Sequence, residues 1–72
     1  MTLSVPERVK ELWHLFIRQP LARFRELLGA RPTRSLVVVT FLALLELARR
    51  RKVSLRQETT LGEIEVTRRE DP

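Results

Sequence analysis

Side chains able to do acid–base, metal or covalent chemistry are few in these 72 residues, and they are scattered. The single histidine, His14, stands beside Trp13 and Leu15. General acid–base catalysis needs a nucleophile or carboxylate within reach of such a ring, and a metal needs further ligands. Glu11 is nearby but off the i+4 position, and Arg18 occupies the following turn. His14 therefore reads as an ordinary surface or half-buried helix residue. The absence of cysteine removes disulfides, thiolate metal sites and thiol nucleophiles. Gly29 and Gly62, the two glycines, stand too far apart to build a phosphate-cradling loop. The carboxylates are interspersed with arginines and read as solvated faces. No enzyme activity, cofactor or metal is expected, and what remains is the chemistry of recognition.

Two segments could recognise a partner. Arg49, Arg50, Arg51 and Lys52 form a basic run, and the formal net charge of +5 attracts nucleic acid, acidic protein surfaces or anionic lipid. Immediately before it, Leu36 to Ala48 is apolar except for Thr40 and Glu46. That run is shorter than the roughly 20 residues needed to span a bilayer, so it reads as a buried helix. Residues 1–20 carry Glu7, Arg8, Lys10 and Glu11 where a secretion signal needs an apolar stretch. A soluble, intracellular chain is expected.

The elements that position these segments follow from local rules. Ser4 and Glu7 have the spacing of a capping box, and Pro6 fits a first helical turn. Val9, Leu12, Trp13, Phe16 and Ile17 then recur at helical spacing until Pro20 ends the helix near Arg18 or Gln19. A second helix is predicted from about Leu21 to Leu28, with Leu21, Phe24, Leu27 and Leu28 inward and Gly29 as its stop. Thr33 is the predicted N-cap of a long third helix from Arg34 to about Arg51. The period then changes to two: Val53 and Leu55 alternate with Ser54 and Arg56, and Ile64 and Val66 with Glu63, Glu65 and Thr67. Glu58 to Gly62 is the predicted hairpin connection, and the outer strand near Leu61 to Thr67 either leaves an edge that could add to a partner's sheet or is an ordinary wing blunted by Glu63, Glu65, Arg68 and Arg69. Three helices followed by a β-hairpin wing make an α+β winged helix in one domain, residues 1–72, with a frayed tail at 69–72.

On a helical wheel Val37, Phe41, Leu44, Leu45 and Ala48 cluster as the expected core face of the third helix. Val38, Val39 and Leu42 lie on the other side among Glu46, Arg49 and Arg50. A helix apolar nearly all round calls for cover nearly all round, and a domain this small covers one face. The surplus points to a partner surface, unless the first helix and the hairpin cover both sides. The first turns of this helix present Leu36, Val38 and Val39 where a DNA reader needs Arg, Asn, Gln or Ser. The basic run at the far end suits phosphates without specifying sequence.

Thr33-Arg34, the block Val39-Thr40-Phe41-Leu42-Ala43-Leu44-Leu45-Glu46-Leu47, then Val53, Gln57 and Gly62-Glu63-Ile64 resemble the C-terminal end of segregation and condensation protein A, the bacterial kleisin family. Phe24-Arg25-Glu26-Leu27-Leu28 resembles that family's short motif before the long helix. The resemblance covers roughly residues 21–68, while residues 1–20 share only an amphipathic helix. Leu61 stands where phenylalanine is usual in the family, and Arg51 where glycine is common.

The resemblance implies a winged helix that binds the ATPase head of an SMC protein, closing one end of a ring used in chromosome condensation and segregation. It implies a cytoplasmic, nucleoid-associated setting. In the family an N-terminal domain grips the second SMC subunit and a central segment binds ScpB. Neither is present here, so an isolated C-terminal domain is expected. Its partner surface maps onto Val38, Val39, Leu42, Glu46 and Arg49 of the long helix, with Ile64 and Val66 of the hairpin. The alternative is a winged-helix DNA binder using Arg49, Arg50, Arg51, Lys52 and the wing, and a third reading is a dimerisation domain.

Overall fold

The computed structural model describes residues 4–57 and 62–70. Helix α1 spans Val5–Arg18, and Ser4 Oγ accepts a hydrogen bond from the Glu7 amide at 3.3 Å, the forward half of the expected capping box. At its other end the Gln19 amide closes the last turn on the Leu15 carbonyl at 2.8 Å. The Arg68 guanidinium then donates to the Phe16 and Ile17 carbonyls at 3.3 and 2.9 Å, satisfying acceptors that the helix cannot.

The segment expected as one helix from Leu21 to Leu28 divides in two. Leu21–Arg23 is strand β1 and only Phe24–Leu28 is helix α2. Pro20 favours an extended backbone, and its carbonyl accepts from the Arg68 amide at 2.7 Å, which starts an antiparallel ladder. Leu21 pairs with Thr67, Ala22 with Val66 and Arg23 with Glu65. Ala22 is buried, whereas Leu21 is 53% exposed rather than inward. The Glu26 carboxylate accepts from the Arg23 amide at 2.8 Å and fixes the start of α2.

Helix α3 runs Arg34–Arg49, with Thr33 Oγ1 accepting from the Leu36 amide at 3.1 Å as expected. Strand β2, Val53–Gln57, and strand β3, Ile64–Arg68, follow. The sheet order is β1-β3-β2, all antiparallel. The second strand of the wing is thus the centre of a three-stranded sheet. The edge expected on this strand is taken up by β1 from Glu65 to Thr67, Leu61 lying outside the described residues, and the sheet's edges are β1 and β2. The hairpin connection Glu58 to Gly62 lies, apart from Gly62, outside the described residues.

The core gathers Val9, Leu12 and Phe16 of α1, Ala22, Leu27, three α3 residues, Val53 and Val66. The buried face of α3 is Thr40, Ala43, Leu44 and Leu47. The expected inward set Val37, Phe41, Leu44, Leu45 and Ala48 is therefore rotated by about one residue step, roughly 100°. Phe41 and Leu45 are exposed, and Val37 and Ala48 half-buried. A polar pair decides the rotation. Arg8 Nε donates to Thr40 Oγ1 at 3.0 Å, and its terminal nitrogen donates to the Leu27 carbonyl at 2.7 Å. This charged side chain joins α1, α2 and α3, and it satisfies a fully buried hydroxyl that apolar counting overlooks.

Helix α3 stops in a Schellman arrangement: the Lys52 amide donates to the Leu47 carbonyl at 2.8 Å and the Arg51 amide to Ala48 at 3.0 Å. Arg51 takes φ 62°, a left-handed position at which a side chain is strained and glycine is not. Arg51→Gly should raise stability by about 1 kcal/mol, a rise in Tm of roughly 4–8 °C in a domain of this size, read by thermal circular dichroism. An unchanged or lower Tm would show that the strain is relieved elsewhere.

Candidate functional site

Helix α3 carries an apolar stripe that the described residues leave partly exposed. Val38, Phe41, Leu42 and Leu45 follow i, i+3, i+4, i+7 spacing, and each is between 40% and 49% exposed. Val39, half-buried, borders the stripe. Phe41 is steadied by Phe24 of α2, the two rings meeting edge-to-face with centroids 6.2 Å apart. Four large apolar side chains at adjacent positions of one helix make a contiguous patch rather than scattered exposure.

A charged cluster closes the C-terminal end of this stripe. Glu46 accepts from Arg49 at 2.6 and 3.1 Å and from Arg50 at 2.6 Å. The hydrogen bonds from Arg49 and Arg50 hold the Glu46 carboxyl at about 2, well below the ordinary carboxylate range. A depressed carboxylate stabilises the fold above its unfolded-state value and loses that contribution as pH falls through about 2. Carbon-13 NMR of the Glu46 carboxyl should therefore give a midpoint near 2, moving up toward ordinary values in Arg50→Ala. A wild-type midpoint near 4.5, the ordinary value, would mean the clamp is open in solution.

Of the other positions suggested by the sequence, Ile64 is half-buried and packs on the core, while Val66 is fully buried at the centre of the sheet and forms no surface. Burial on β3 follows from its central place between β1 and β2. Arg25 of α2 reaches Glu63 at 3.1 Å, fastening the approach to β3. The basic run is largely spoken for: Arg49 and Arg50 bind Glu46, and Lys52 Nζ lies 5.4 Å over the Trp13 ring. Arg51 is exposed at the helix stop. His14 is exposed, and among the described residues no three His, Asp or Glu side chains gather as a metal site. Among the same residues no helix is long and apolar enough to cross a membrane.

Sequence reasoning placed Val38, Val39, Leu42 and the Glu46–Arg49 end together, and the structure brings these together. It assigned Phe41 and Leu45 to the core, although they complete the stripe. The Glu46 clamp was readable from its i+3 and i+4 spacing to Arg49 and Arg50.

Comparison with known proteins agrees with this architecture. The sequence profile for "Segregation and condensation protein ScpA" matches residues 1–69. Segregation and condensation protein A of Lactococcus lactis subsp. cremoris (strain MG1363) is 33% identical over 67 residues, 93% of this chain. The same protein of Lactococcus lactis subsp. lactis (strain IL1403) is 31% identical over 67 residues. The chain spans 28% of the length of these relatives. A crystal structure of the SMC head bound to the C-winged helix domain of ScpA contains a similar chain, with a TM-score of 0.68 and 27% identity over 90% of this chain and 93% of that one. The three helices, the three-stranded sheet and the profile match lead to one conclusion: this chain belongs to the segregation and condensation protein ScpA family, with the fold of its C-terminal winged-helix domain.

Proposed function

We propose that this domain is a non-catalytic docking module that binds the ATPase head of an SMC protein through the exposed stripe of α3, in the cytoplasm at the chromosome. The observation that carries the reading is the set Val38, Phe41, Leu42 and Leu45, apolar and uncovered on a domain too small to afford surplus apolar surface. The solved relative was captured with an SMC head, which supplies the partner's identity. Val39 borders the contact, and Glu46 with Arg49 forms a polar rim that limits sliding along the helix. The clamp also speaks against DNA reading, because Arg49 and Arg50, two of the cations that would meet phosphates, are engaged by the Glu46 carboxylate.

Calorimetric titration of the domain into a purified SMC ATPase head, with duplex DNA as the parallel titrant, tests the reading. A Kd of about 1 μM or tighter is expected for the head. For DNA, only weak binding that disappears near physiological salt is expected. Salt-resistant DNA binding with no heat from the head would replace this reading with the nucleic-acid one.

A further inference from the structure

Away from the α3 stripe, a cavity of about 320 Å³ opens between α1 and the turn that follows α3. Pro6, Val9, Trp13 and Leu47 give it an apolar lining, while Lys10, Arg50 and Lys52 are its charged members. Leu47 leaves α3 about 200° round the helix from Leu45, so the groove and the stripe open in different directions.

We propose that this groove is a docking site for a short acidic peptide segment with an apolar anchor residue, a second partner surface independent of the SMC-head reading. Charge complementarity selects the occupant. Among the described residues every charged side chain lining the groove is a cation, and no carboxylate lines it. Glu46 neutralises Arg50, which leaves Lys10 and Lys52 to meet two carboxylates. The volume lies at the small end of ligand pockets, room for an anchoring side chain rather than a folded surface. Nucleic acid fits less well, because Lys52 already occupies one face of Trp13, and the aliphatic lining has nothing to offer a base edge.

Trp13 is the chain's one tryptophan and is half-buried in this lining, so its fluorescence reports occupancy directly. The probes are short synthetic peptides: a Glu-Leu repeat, a Glu-Ser repeat that lacks the anchor, and a Gln-Leu repeat that lacks the charge. The Glu-Leu repeat should shift Trp13 emission saturably, and each control should bind at least about tenfold more weakly. Lys10→Glu, at an exposed α1 position, should weaken the Glu-Leu response by a similar factor with an unchanged circular-dichroism spectrum. Leu42→Glu should leave the response intact, which separates this site from the SMC-head surface. The proposal is overturned by no saturable shift, by full binding to folded Lys10→Glu, by equal binding of either control, or by tighter binding of a single-stranded oligonucleotide.

Discussion

Phe16→Ala is expected to leave the domain unfolded at room temperature. The Phe16 ring is fully buried where α1 meets the rest of the core, and the Phe16 carbonyl accepts from Arg68 of β3. Truncating such a ring costs about 3–5 kcal/mol in lost transfer energy and residual cavity. A domain of this length carries roughly that much stability in total, and without cysteine it has no disulfide to offset the loss. Far-UV circular dichroism and urea denaturation would show a largely unfolded baseline with no cooperative transition. Ile17→Ala, one residue along and 51% exposed, should change stability by less than about 0.5 kcal/mol. A cooperative transition in Phe16→Ala at the wild-type midpoint would contradict the assigned core.

The double variant Val38→Glu/Leu42→Glu should lose binding to an SMC head by at least about 100-fold while remaining folded. Both side chains are nearly half exposed on one face of α3, so substitution removes little internal packing. In the complex, two carboxylates would face an apolar surface without partners. Each desolvated charge costs several kcal/mol unless it stays wet by breaking the contact. Since about 1.4 kcal/mol is tenfold in Kd, a 100-fold loss requires only about 3 kcal/mol from the pair. The two sites are one helical turn apart and need not act additively, so the double variant is the decisive one. Calorimetry against the head reads the loss, and thermal denaturation checks the fold. Wild-type affinity in a folded double variant would remove the stripe from the interface.

Much of this architecture was legible in the sequence because its signals are local. Ser4, Pro6, Thr33 and Gly29 punctuate the helices through their own hydrogen bonds or backbone preferences, and the change of period after Lys52 marks the wing strands. Strand β1 was hidden because three residues give no period, and because its partner lies more than forty positions away at Val66. The orientation of α3 was hidden for a different reason. An almost uniformly apolar helix has no polar face to set its rotation, so the answer came from Arg8 seeking the Thr40 hydroxyl across the domain. That same pairing turned Phe41 and Leu45 outward and enlarged the surface inferred from Val38, Val39 and Leu42. Val66 shows the converse limit: alternation on β3 identified a strand, but only the third strand of the sheet made it central and buried.

The central claim is that the uncovered face of α3 is where the partner sits. Methyl-resolved NMR of the labelled domain, titrated with unlabelled SMC head, tests it most directly. The account predicts that the Val38, Leu42 and Leu45 methyl signals shift or broaden first, while those of Leu12 and Leu44 in the core move little. A head that binds while Val38, Leu42 and Leu45 remain unperturbed would contradict it.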